Sequence, residues 1–305
     1  MFVRSWAAEP GIEFAQRPSE KNPEPEMRKV CPAFYGGAMN VHGLTRHIPE
    51  AVAREVRIRC GFGCISCGSA IYQYHHFDPP FAEARQHRTD GIALLCSGCH
   101  DMVTRGLWTN DHIALLAKAP FCACAGYAHG GHPLEVSPED FAVRLGPVTC
   151  RNLYLLSLDR DVVLILEPPE QTGAPFRLSA RFYDTRDRLA LMIWRNEWQV
   201  GVGNYDVKVV GQTIRVYEAA DQVALGLAVH PPHNVIIESL RMLHRGYRIG
   251  ISPQQVSMRT PSGKEVFTGF AGEIAGVPMI LGKDNLSIGG NGIAVNNWVL
   301  TRRPE

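Results

Sequence analysis

The chain has 305 residues, with 31 Lys/Arg against 30 Asp/Glu, and 45% of it is hydrophobic. That length accommodates two domains. The near-zero net charge excludes the global pull toward polyanions or membrane surfaces that a strongly basic protein exerts. Nine cysteines is an odd number, and four of them stand in metal-ligand spacing, which favours a reducing compartment over a disulfide framework. Met1 to Glu20 has no apolar core of signal-peptide length, and no stretch approaches a membrane span. The expectation is a soluble cytoplasmic protein with no membrane partner.

In chain order, residues 1–40 read as an N-terminal tail or linker, because 16–26 are proline-rich and charged with nothing apolar to bury. Val52, Val56 and Arg59 recur at helical spacing, so a short helix is predicted from Pro49 to Arg59. It leads into Cys60-Gly61-Phe62-Gly63-Cys64, where the glycines permit a tight turn. Ile71 to Tyr74 is β-rich and runs into His75-His76-Phe77-Asp78-Pro79-Pro80, and Ile92 to Leu95 is a second short apolar strand. A helix from His100 to Arg105 stops at Gly106, and Thr109-Asn110-Asp111 offers an N-cap for another through Ala117, ended by Pro120. Helix, knuckle, hairpin, knuckle, helix is the order of a small α+β treble-clef zinc domain, placed at 41–130.

Beyond it the texture changes. Phe176, Leu178, Ala180 and Phe182 alternate with polar partners, and Val223, Leu225, Leu227 and Val229 alternate with small residues, as in strands buried on one and on both faces. Turn signals recur at Asp184-Thr185, Gly211-Gln212, Pro231-Pro232, Ser262-Gly263 and Gly289 to Gly292. Residues 131–305 are therefore expected to form an all-β domain, either a sandwich or a short β-solenoid. The glycines at 269, 272, 276, 282 and 289 tilt its end toward solenoid-like coils. Trp194 and Trp198 are expected on one face of a single strand, as core residues.

Cys64-x-x-Cys67 and Cys96-x-x-Cys99 are separated by 28 residues and flanked by glycine, the spacing of a closed four-thiolate zinc site. About 60 residues build little core unaided, and zinc would replace what is missing. Eight of twelve histidines lie within 41–130. His42, His47, His112 and His129 read as ordinary surface or core residues. His75 and His76 are consecutive at a strand end, so one can face a metal while the other faces a water. His100 follows the second cysteine pair directly, in a helix held by that knuckle. Cys122 and Cys124, with Cys31, Cys60 and Cys150, lack clean ligand spacing and read as ordinary thiols.

Tyr74-His75-His76-Phe77-Asp78-Pro79, followed by Leu94-Leu95-Cys96-Ser97-Gly98-Cys99-His100, resembles an HNH endonuclease of the ββα-metal type with an embedded four-cysteine zinc, over about residues 48–107. The resemblance implies that His76 is the general base and that His75 and His100 bind a catalytic divalent metal. Where the family has asparagine, five residues before the third cysteine, this chain has Gly91. Asp90 is a candidate substitute, and so is His87 on the same loop. Asp78 is a possible further ligand, or a turn residue ahead of two prolines.

The chemistry expected is phosphodiester hydrolysis, with His76 taking a proton from water and the metal polarising the phosphate. Imidazole ligands would admit Mg, Mn, Ni or Zn. The partner would be nucleic acid, DNA ahead of RNA, with self-association through the β-rich domain left open. Residues 41–130 hold eight Lys/Arg against seven Asp/Glu, which argues mildly against tight non-specific DNA binding. The alternatives are a zinc-stabilised nucleic-acid- or protein-binding module without catalysis, and a β-rich domain that binds carbohydrate or protein as the active unit.

Overall fold

The computed structural model describes residues 39–288 apart from 132, 136–141, 152–154, 168, 172–173, 231–233 and 276–277. The tail before residue 39, Cys31, Gly276 and the turn signals at 231–232 and 289–292 lie outside the described residues.

The first helix, α1 (Glu50–Arg59), has Pro49 at its N-cap and Glu50 in its first turn, with Arg57 and Arg59 in its last, a distribution that complements the helix dipole. It buries Ala53 and Val56 and ends at Cys60, after which Gly61 and Phe62 turn the chain at φ +69 and +66. Strands β1 (Gln73–His76) and β2 (Ile92–Leu95) form an antiparallel hairpin that sets His75 opposite Ala93 and His76 opposite Ile92. Helix α2 (Ser97–Thr104) packs against both strands. It begins three residues before the expected His100, because Cys96 is its N-cap and accepts from the Cys99 N–H at 3.4 Å. Thr109 caps α3 (Asn110–Leu116), its hydroxyl accepting from His112 N, and α4 (Phe121–Ala125) follows. Val56, Ile65, Phe77, Leu94, Leu95 and Ile113 meet in a small core of their own.

Strand predominates in the rest. One sheet contains β3 (Tyr127–His129), β6 (Leu155–Leu158), β7 (Asp161–Glu167), β8 (Arg177–Tyr183), β9 (Leu189–Trp194) and β10 (Glu197–Gly201), closed by β19 (Pro278–Leu281) and β20 (Leu286–Ile288). The other runs in sequence order through β11 (Asp206–Val210), β12 (Thr213–Ala219), β13 (Gln222–His230), β14 (Asn234–His244), β15 (Tyr247–Ile251), β16 (Val256–Arg259) and β17 (Glu265–Gly269). Beside β14 lies β4 (Ala142–Leu145), which pairs in turn with β5 (Val148–Arg151), and β5 with β18 (Gly272–Ala275). Leu178, Leu191 and Ile193 of the first sheet share one core with Leu225, Leu227 and Ile237 of the second, as in two sheets packed face to face.

The solenoid alternative does not describe these strands. Successive strands from β6 to β10 and from β11 to β17 pair antiparallel through short turns, whereas solenoid coils stack in parallel. The glycine-rich end does add parallel pairs, β18 on β5 and β19 on β6. Trp194 and Trp198 also differ from expectation, since Trp194 ends β9 and Trp198 is the second residue of β10, on either side of a tight turn. Arg195 and Asn196 both take positive φ there, +48 and +73, the geometry that matches strand twist in two-residue hairpins. Trp198 is buried, as expected, while Trp194 is only partly covered.

Helix α1 locks onto β11. Arg57 donates to both carboxylate oxygens of Asp206, at 2.9 and 2.7 Å, and both side chains are about 4% exposed. Arg57 also donates to the Tyr74 hydroxyl at 2.8 Å, so one guanidinium ties α1 to β1 and to β11. Among the described residues no helix is long and apolar enough to cross a membrane.

Candidate functional site

The two cysteine pairs come together. The sulfurs of Cys64, Cys67, Cys96 and Cys99 all lie within 4.8 Å of one another, and among the described residues they are the one such group of three or more His, Cys, Asp or Glu ligand atoms. Cys67 Sγ is 3.6 Å from Cys96 Sγ. Sulfurs about 2.3 Å from a tetrahedral zinc stand about 3.8 Å apart, so the spacing fits that ion. The backbone prepares the site: Cys64 N donates to Ser69 O, Gly68 N donates to Cys64 O, and His129 Nε2 donates to Cys67 O at 2.8 Å.

Thiol acidity in the cluster carries the same message. Burial, then the neighbouring Cys64, pushes Cys67 up to about 11, and the same two influences raise Cys99 further. Burial acts to raise Cys96 too, but N–H and S–H donors around it leave it below its ordinary value. Four thiols this close do not ionise together without a cation among them. The four cysteines could hold a metal ion such as zinc, which would release those protons on binding.

The histidines divide into two pairs. His75 and His100 face each other edge-on, with ring centroids 5.2 Å apart. His75 Nε2 donates to Asn110 Oδ1 at 3.3 Å, which leaves Nδ1 as the unprotonated ring nitrogen. His100 Nδ1 meets the Thr104 hydroxyl one helical turn on, at 3.4 Å. His76 turns to the other side of β1, where its Nε2 and His87 Nδ1 share a hydrogen bond of 2.9 Å. The remaining nitrogen of His87 is buried and has no partner among the described residues.

Both strand histidines are held neutral. Burial lowers His75 most, its bond to Asn110 works the other way, and the charge on His100 lowers it again. Burial, then His87, His75 and Arg46, lowers His76 to about 4. The His76 ring is thus unprotonated at neutral pH and a weaker base than an ordinary imidazole.

Two residues of the expected site stand elsewhere. Asp90 is exposed and bound by Arg88 through both oxygens, at 3.0 and 2.6 Å, which holds its carboxyl below the usual carboxylate pKa. The Asp78 side chain is exposed, makes no hydrogen bond or ion pair among the described residues, and joins no metal-ligand group. Its backbone carbonyl, however, presses on Gly91, where any Cβ would overlap it. Gly91 O in turn accepts from Phe77 N and Asp78 N at 2.9 and 3.3 Å. Glycine at 91 is thus a packing requirement, and the ring that meets His76 belongs to His87.

Comparison with protein-family models, with curated proteins and with solved structures finds no match for this chain. The functional reading therefore rests on its own residues.

Sequence reasoning missed Asn110 and Asn40. Asn110 sits where the reading of 109–111 saw only a helix cap, and its contact with His75 depends on how α3 folds back. Asn40 donates to Phe81 O and Ala84 O, both at 2.6 Å, and thereby holds the loop that carries His87. No local signal marks either partner.

Proposed function

We propose that the β1–β2 hairpin and α2 form a metal-dependent phosphodiester hydrolase of the HNH, ββα-metal type, built on a structural zinc in a treble-clef setting. The single observation that carries this reading is the meeting of His75 with His100 beside a complete four-cysteine cluster. With the sulfurs assigned to zinc, the two imidazoles remain for a second divalent ion, as the resemblance implies.

A divalent ion bound there, Mg, Mn, Ni or Zn, would polarise the scissile phosphate and stabilise the charge on the leaving oxygen. The protein's part is orientation and proton transfer. Asn110 fixes the ring of His75, and the α2 backbone fixes His100 one residue after Cys99. His87 holds the His76 ring, and His76 takes a proton from the attacking water. Nucleic acid is the partner this chemistry requires, DNA ahead of RNA.

The test is nicking of supercoiled plasmid by the zinc-loaded chain across a manganese and magnesium titration. His75→Ala and His100→Ala are expected to shift half-maximal cleavage to higher metal concentration. A wild-type protein inert on DNA and RNA with every divalent ion would overturn the reading. Gly91 favours a second reading, a zinc-stabilised binding module without catalysis, because the asparagine cannot stand at that position. Nucleic-acid binding that survives without any cleavage would select it.

A further inference from the structure

Tyr74 and His76 leave β1 on the same face, and there they line a pocket of about 530 Å³ between α1, β1 and the edge strand β11. That volume falls within the roughly 300–1,000 Å³ of ordinary ligand sites. Tyr72 and Phe81 add further aromatic surface to it.

The charge on its walls is uneven. Glu50 is bound by both Arg57 and Lys208, at 2.6 and 2.7 Å, and Asp206 is taken up by Arg57. Arg46 has no carboxylate partner among the described residues. Its guanidinium lies over the Phe81 ring, 4.5 Å from the centroid. A cation left over beside aromatic faces suits a ligand with a phosphate and a flat ring. His76 belongs to this pocket as well as to the proposed active site, so whatever binds here is continuous with what is cleaved.

We propose that this pocket receives one unpaired nucleotide of the strand being cut, with Arg46 toward its phosphate and the aromatic side chains against its base. The proposal rests on the nuclease reading for the identity of that strand. It gives the β-rich region a defined part in substrate recognition, since Val210 at the pocket stands on β11. It also names the substrate as a strand with unpaired nucleotides, because a paired base cannot enter a pocket.

The experiment is fluorescence anisotropy of a short labelled single-stranded DNA with the zinc-loaded full chain, no other divalent ion present, beside a duplex of the same sequence. Single strands are expected to bind more tightly than duplex. Arg46→Ala is expected to weaken binding and to reduce the slope of log K against log salt by about 0.7, one phosphate contact to a single strand. Val210 is 65% exposed at the pocket. Val210→Glu places a repelling charge there without disturbing the core, and about a tenfold loss is expected. Both variants binding as the wild type does would overturn the proposal, and so would a preference for duplex. Cleavage by wild type and both variants alike would leave the nuclease standing and sink the pocket. Variant-sensitive binding with no cleavage under any metal would do the reverse.

Discussion

The carbonyl oxygen of Asp78 occupies the space that a side chain on Gly91 would need. Both residues are fixed by the hydrogen bonds that Phe77 and Asp78 donate to Gly91 O. Restoring asparagine, the obvious repair of the motif, is therefore expected to fail. Gly91→Asn should lower stability by about 1–3 kcal/mol through overpacking, and should not raise cleavage. Urea midpoints and a nicking assay on the variant check both halves.

Removal of the metal is expected to act locally. The module's core is small, and structural zinc in comparable peptides contributes on the order of 10–16 kcal/mol of binding free energy at neutral pH. Elemental analysis should find one zinc per chain, lost in Cys64→Ala. Hydrogen exchange after chelation should speed up across residues 60–116 while β7 to β9, inside the larger core, stay protected. Uniform loss of protection across the chain would show that the module and the sheets do not separate in this way.

Arg57 and Asp206 join the two regions as a buried pair with two hydrogen bonds. Asp206→Ala leaves the guanidinium desolvated and is expected to cost about 3–5 kcal/mol. Arg57→Met with Asp206→Leu together should cost less than the sum of the single changes, since neither leaves a charge behind. Glu50 and Tyr74 still hold Arg57 in the single variant, which places the expected loss at the lower end of that range. A double-mutant cycle in denaturant measures the coupling.

Acid stability should depend on Asp184, whose side chain closes the β8–β9 turn. Burial acts to raise its pKa, but the Arg188 and Arg186 N–H groups and the Arg188 guanidinium outweigh it, and the net shift is downward. A lowered folded value means stability that is full above the ordinary carboxylate range and is lost as pH falls through the folded value. Asp184→Asn should thus narrow the gap between the unfolding midpoints at neutral pH and at acid pH. An unchanged gap would assign the acid sensitivity to other carboxylates.

Much of the four-cysteine region was legible because its determinants are local. Cys-x-x-Cys spacing, the Thr109 cap and the apolar run Ile92 to Leu95 each act within a few residues, and the elements formed where these signals stand. Long-range contacts were not legible. The partner of His76 lies across a loop pinned by Asn40, and that of His75 lies on α3, so neither follows from spacing. The separation of Trp194 from Trp198 was missed because Arg195-Asn196 lacks the glycine that usually announces a two-residue turn, although asparagine tolerates positive φ. Gly91 read as a lost catalytic residue, because the carbonyl it accommodates is visible only once the hairpin loop is folded.

The central claim is that His76 is a general base acting beside a divalent ion on His75 and His100. Single-turnover cleavage at saturating manganese, with the chain fully zinc-loaded, tests it most directly. His76→Ala should slow the chemical step by about 10²–10⁴-fold with substrate affinity little changed, and His87→Ala should slow it by a smaller factor through the misplaced ring. A wild-type chain that cleaves at the same rate as His76→Ala would contradict the account.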